Sequence, residues 1–116
     1  MVNPDSWEKA TIDRLKVPDF IRKTRAEIGS YCPEMAIRLA NEFRGAQIMG
    51  ITIWAAEAGG KPHHYIVKIG DRYYDADNPE GTTTLNELIR RRYGYMTLFS
   101  ETKRKTVAQV KAERGL

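Results

Sequence analysis

The dipeptide Gly70-Asp71 lies between two short stretches, 63–69 and 72–76, and is the tightest local constraint in the sequence. Alternating side chains interrupted by a two-residue turn read as a β-hairpin. Asn78-Pro79-Glu80-Gly81 reads as the turn that closes it. An Ile-rich run, 48–56, which includes Trp54, reads as a preceding strand, joined through the loop Ala58-Gly59-Gly60-Lys61-Pro62. Residues 95–99 read as a last strand.

Helical patterning surrounds these strands. A first helix is expected from Pro4-Asp5-Ser6 to Leu15, broken at Val17-Pro18-Asp19. Pro18 suits the first turn of a second helix, which reaches about Ile28 and stops at Gly29. Pro33 opens a third, with Met35, Ala36, Leu39, Ala40 and Phe43 at helical spacing and Gly45 at its end. Thr84-Leu85-Asn86-Glu87 has capping-box spacing and Gly94 the place of a stop, so a helix is expected between them. From Ser100 onward the sequence reads as a charged helix with Val107 and Val110 as a thin apolar stripe and an end free to fray. Strands consecutive in sequence pair antiparallel, so the expected class is α+β, with helices packed on a small antiparallel sheet. At 116 residues, with no repeat or linker, the chain is expected to form one domain, 1–116.

A single cysteine, Cys32, excludes an intramolecular disulfide and a Cys-rich zinc site. No phosphate loop or dinucleotide fingerprint occurs, so no cofactor is expected. No apolar run is long enough to span a bilayer, and Met1 to Lys16 is polar, so no membrane association and a cytoplasmic location are expected. The net charge of +4 arises late, in Arg90-Arg91-Arg92 and Lys103-Arg104-Lys105. Such runs form solvated surface or weak contacts with nucleic acid or acidic protein.

Cys32 stands at the head of the third helix. Free backbone N–H groups and the helix dipole there favour a thiolate, and the same groups suit an oxyanion. A neighbouring imidazole would activate the thiol further. There are two histidines. Alternation places His63 with Tyr65, Val67 and Ile69, and His64 with Ile66 and Lys68 on the opposite face. If the Cys32 helix packs on that second face, His64 meets the thiol and His63 does not. Adjacent strand residues point apart, which also argues against His63 and His64 sharing a metal ion. A carboxylate should then orient the imidazole. Asp75 lies nearer the strand body than Asp77 and is preferred, with Asp77 in reserve.

The stretch YCPEMAIRLANEF, followed by PHHYIVKIGDRYYDADNPEG, resembles the papain-like and transglutaminase-like cysteine hydrolases across residues 31–81. The resemblance implies nucleophile, general base and orienting acid in the order Cys32, His64, Asp75. It implies a hydrolase or acyl transferase acting on amide or isopeptide bonds of a peptide or protein substrate, with water or an amine as acceptor. Pro33 stands where the family often has Trp, and no Gln precedes Cys32, so backbone N–H groups or Tyr31 would serve as oxyanion donor. The competing reading is a non-catalytic binding module on the same fold, contacting nucleic acid or an acidic protein through its basic C-terminal region.

Overall fold

The computed structural model describes residues 4–53, 62, 64–94 and 100–116, with side chains described from residue 14 onward. The elements are α1 (Pro4–Ile28), α2 (Cys32–Glu42), β1 (Gln47–Ile53), β2 (His64–Ile69), β3 (Arg72–Asp75), β4 (Asn78–Thr82), α3 (Leu85–Tyr93), β5 (Ser100–Lys105) and α4 (Val107–Arg114). The fold is α+β, as expected. Four helices pack on a five-stranded sheet of order β4-β3-β2-β1-β5, antiparallel at each pairing.

Alternation along the strands divides the core into two layers. Tyr65, Val67 and Ile69 of β2, with Ile48 and Tyr74, bury against Val17 and Ile21 of α1, Met35, Ala36 and Leu39 of α2, and Val110 of α4. On the other face, Ile51, Ile53 and Ile66 bury against Leu88 and Ile89 of α3, with Tyr73 and Tyr93 beside them. The sheet therefore lies between three helices and one.

Three local expectations are corrected. The chain does not break at Val17-Pro18-Asp19, because α1 runs through Pro18. An interior proline costs about 3 kcal/mol. Val17 and Ile21, both fully buried on one stripe, contribute about 1.5–3 kcal/mol each and offset it. Asn78-Pro79-Glu80-Gly81 is not a closing turn but most of β4, and the turn is Ala76-Asp77. Pro79 is tolerated because β4 is an edge strand. Ser100–Lys105 is a strand rather than the start of a helix, pairing with β1 along Ile48–Ile53. Its charged sequence carries no apolar alternation because it too lies at an edge, where charge discourages further pairing. The helix begins later, at Val107, under a complete Thr106–Gln109 capping box. The strand expected at 95–99, Trp54 and His63 lie outside the described residues.

The termini of α2 and α3 matter for the site. Cys32 is the first residue of α2, preceded by Tyr31, whose side chain provides no cap. Thr84 caps α3 by accepting from the Glu87 amide, and Gly94, at φ 58°, ends it. The Glu87 carboxylate turns away from the cap to Arg91 at 3.1 Å.

Candidate active site

His64 opens β2 and Asp75 closes β3. The antiparallel pairing of these strands through Gly70-Asp71 returns both residues to one end of the sheet. Both side chains point to the α3 face, the face that carries Ile66 and Tyr73. There His64 Nε2 and Asp75 Oδ2 are 2.8 Å apart, with side-chain exposures of only 1% and 2%. The other carboxylate oxygen, Oδ1, accepts from the Asp77 amide at 3.0 Å and from Asn78 Nδ2 at 2.8 Å. Burial pushes the Asp75 carboxyl up, but the hydrogen bonds from His64, Asn78 and the Asp77 amide outweigh it, leaving it below the ordinary 3.8.

These contacts fix the imidazole tautomer. An ionised Asp75 only accepts, so in the neutral ring Nε2 carries the proton and Nδ1 keeps a free lone pair. Nδ1 is buried and has no hydrogen-bond partner among the described residues. The Tyr93 ring stands edge-on to the imidazole, with centroids 6.3 Å apart. A buried nitrogen base without a partner is unusual in a folded protein and is retained at sites of chemistry more readily than in passive core.

Cys32 reaches this end of the sheet by a different route from the one expected. The helix it heads packs on the Tyr65–Val67–Ile69 face, opposite His64, so the expectation that α2 shares the His64 face is overturned. What brings Cys32 toward the pair is its terminal position. It lies within electrostatic reach of Asp75, Asp77 and Arg92, and of Tyr93, the residue that also borders His64. Its S–H points to the Ser30 carbonyl at 3.5 Å, and it makes no hydrogen bond to His64. Burial pushes the thiol up to about 11, Arg92 pulls it down, and Asp75 and Asp77 push it up. Desolvation thus outweighs the helix N-terminus, and Cys32 rests as a thiol, not the thiolate its position alone suggests.

Asp77 does not orient His64. It is half-exposed and pairs with Arg92 at 3.2 Å and with Arg25 at 3.7 Å, while its amide serves Asp75. Gln47 pairs with Lys68, at the opposite end of β2 from His64. Among the described residues, no group of three or more His, Cys, Asp or Glu could hold a metal ion. No described helix is long and apolar enough to cross a membrane.

No family model, curated protein or solved structure matches this chain. The site therefore rests on its own geometry.

Three neighbours of the site were not singled out in the sequence. Asn78 anchors Asp75 and accepts from Arg91 at 3.0 Å, but Asn before Pro reads as turn chemistry. Arg92 sat inside a basic run, where only the helix register separates it from Arg90 and Arg91. Tyr93 contacts His64 from a different element, which no sequence spacing reveals. Of the basic runs, Arg91 and Arg92 are held by Glu87 and Asp77, and Lys103 and Lys105 by Glu101 and Glu113.

Proposed function

We propose that the chain is a thiol hydrolase or acyl transferase acting on amide or isopeptide bonds, in the manner of the papain-like and transglutaminase-like enzymes, with Cys32 as nucleophile, His64 as general base and Asp75 as the orienting acid. The observation that supports this best is the buried His64–Asp75 pair, with the second imidazole nitrogen left unpartnered. An ionised carboxylate holding Nε2–H leaves Nδ1 as the base.

Because Cys32 rests as a thiol, the proton leaves during attack rather than before it. Sγ adds to the carbonyl carbon as the thiol proton passes to His64 Nδ1. The tetrahedral intermediate expels the amine, which takes the proton from Nδ1, and a thioester remains on Cys32. Water or a second amine then adds to the thioester and gives its proton to Nδ1. Collapse returns that proton to Sγ and releases the acid or the new amide. The free N–H groups at the start of α2 and the Arg92 guanidinium are the available donors for the oxyanion.

The test is the rate of iodoacetamide labelling of the folded protein against pH, in the parent, His64→Ala and His64→Gln. General-base assistance predicts at least about tenfold slower labelling at neutral pH in both variants, with the fold verified by circular dichroism. Equal rates would reject the proposal. They would favour the non-catalytic module, for which the Cys32 to Ser30 contact is the supporting observation. That module predicts binding of nucleic acid or an acidic protein that weakens steeply with salt.

A further inference from the structure

The two edges of the sheet are built differently. At one edge α1 packs along β4, Arg22 pairs with Glu80, and Pro79 has no N–H to offer. At the other, β5 pairs with β1 over Ser100–Lys105, and no described strand lies beyond it. In an antiparallel ladder every second residue turns both its N–H and its C=O away from its partner. A strand of six residues thus holds out the main-chain groups of about three of them toward a further strand. Glu101, Lys103 and Lys105 stand on the α4 face, where with Gly50, Thr52 and Pro62 they line a cavity of about 120 Å³. Gly50 lets Pro62 close over β1, because a Cβ there would fall 2.6 Å from Pro62 Cγ. Lys105 is mostly buried and tied to Glu113 at 2.7 Å, whereas the Lys103 side chain is 69% exposed and meets Glu101 at 3.5 Å. An exposed pair of that length is worth little, so the Lys103 ammonium is available to an incoming carboxylate. Arg104 is exposed on the opposite face. Arg114 donates to the Pro62 carbonyl beside the cavity. The region therefore sets four basic groups, Lys103, Arg104, Lys105 and Arg114, against two acidic ones, Glu101 and Glu113.

We propose that the β5 edge takes up an extended, acidic segment of a partner protein as a sixth strand, with carboxylate side chains on alternate residues beside Lys103 and Lys105. Main-chain hydrogen bonds supply the affinity of such a contact, and the alternate side chains supply its selectivity. The net charge that repels a second basic strand attracts an acidic one. A polypeptide suits this edge better than a nucleic acid does, because it can satisfy the outward N–H and C=O groups of β5 in the ladder pattern. Glu101 and Glu113, interleaved with the lysines, also oppose a run of phosphates. The contact is independent of the chemistry at Cys32.

The probe is a fluorescein-labelled peptide of about eight residues that alternates Thr and Glu, titrated with the full chain and read by fluorescence polarisation. Peptides with Gln or Lys in place of Glu are the controls. The Glu peptide should bind about tenfold more tightly than the Gln peptide at low salt, and the preference should shrink in about 0.5 M NaCl. Lys103→Glu should abolish that preference and favour the Lys peptide instead. N-methylation of alternate peptide residues, made in each of the two phases, should abolish binding in one phase and spare it in the other, since one edge of the peptide meets β5. Hydrogen exchange should slow at every second amide of β5 when the Glu peptide is bound. Binding that responds to Lys103→Glu but to neither phase of N-methylation is a charge contact without strand addition, and would overturn the proposal. No binding, or equal affinity for the Glu and Gln peptides, would overturn it too. Tighter binding of a single-stranded oligonucleotide of equal charge would assign the surface to nucleic acid instead. A chain that sediments as a dimer, and as a monomer after Lys103→Glu, would assign the edge to a second copy. None of these readouts depends on Cys32 or His64, so failure here leaves the proposed function standing, and failure of that function leaves the β5 edge standing.

Discussion

Replacing Asp75 separates its two tasks, holding the fold and holding the tautomer. Asp75→Ala removes the acceptor for three donors, His64 Nε2–H, the Asp77 amide and Asn78 Nδ2. His64 is buried and cannot turn to water, so its loss alone is worth about 1–3 kcal/mol. Asp77 and Asn78 lie near solvent and recover part of theirs, about 0.5–1.5 kcal/mol lost from each. The expected loss is about 2–6 kcal/mol, a large share of the ~5–15 kcal/mol typical of a domain. Asp75→Asn behaves differently. Its amide oxygen stays with the two donors now on Oδ1, which turns the NH2 toward His64 Nε2. Nε2 must then accept, and the ring proton moves to Nδ1. Stability falls by only about 1–2 kcal/mol, yet Nδ1 no longer offers the lone pair that the proposed mechanism needs. Urea unfolding measures the first effect, and imidazole nitrogen NMR shifts at pH 8 assign the tautomer. Persistence of Nε2–H in Asp75→Asn would refute the reasoning, as would an Asp75→Ala chain within about 1 kcal/mol of the parent.

The remaining expectations concern acid stability and a glycine. The Asp75 carboxyl is held below its ordinary 3.8, so its contribution to stability is complete above that value and is lost as pH falls through the folded-state value. Urea midpoints measured from pH 6 downward should therefore fall less steeply in Asp75→Asn than in the parent, and parallel curves would count against it. At Gly81, with φ +73°, an added Cβ would lie 2.7 Å from Cε1 of the buried Tyr74, whereas at Gly70, with φ +62°, it would meet nothing within 4 Å. Gly70→Ala should cost about 1–2 kcal/mol from backbone strain alone, and Gly81→Ala about 2–4 kcal/mol, with Tm lowered by roughly 10 °C in the latter. Equal losses at the two positions would show that the Tyr74 contact does not matter.

The α+β class was legible because its inner elements carry periodic patterns. Tyr65, Val67 and Ile69 alternate, Met35, Ala36 and Leu39 share a helical stripe, and Gly70-Asp71 sits between two strands. The outer elements were not legible. β4 and β5 are edge strands with no apolar alternation, and Pro79 and the Lys103-Arg104-Lys105 run read as turn and helix surface. The His64–Asp75 contact could be inferred because hairpin geometry ties the start of β2 to the end of β3. The place of Cys32 could not be inferred in the same way. Which face of a sheet a helix covers depends on the apolar area of the whole face, and Tyr65, Val67 and Ile69 outweigh Ile66 for α2.

That packing choice sets the chemistry available. A helix laid on the His64 face would have brought the thiol beside the imidazole along the helix flank, where α3 now lies. Instead α2 packs on the opposite face, against β2 and the short β3. This arrangement puts Asp75, Asp77 and Arg92 within electrostatic reach of a thiol at the uncapped start of α2. The burial that holds Cys32 as a thiol disfavours charge there, so activation must come from groups that act as the proton leaves. In the proposed mechanism His64 Nδ1 is the acceptor and Arg92 the compensating charge. Removing either alone should slow iodoacetamide labelling of Cys32, and the two losses should be less than additive, because each group acts on the same developing charge.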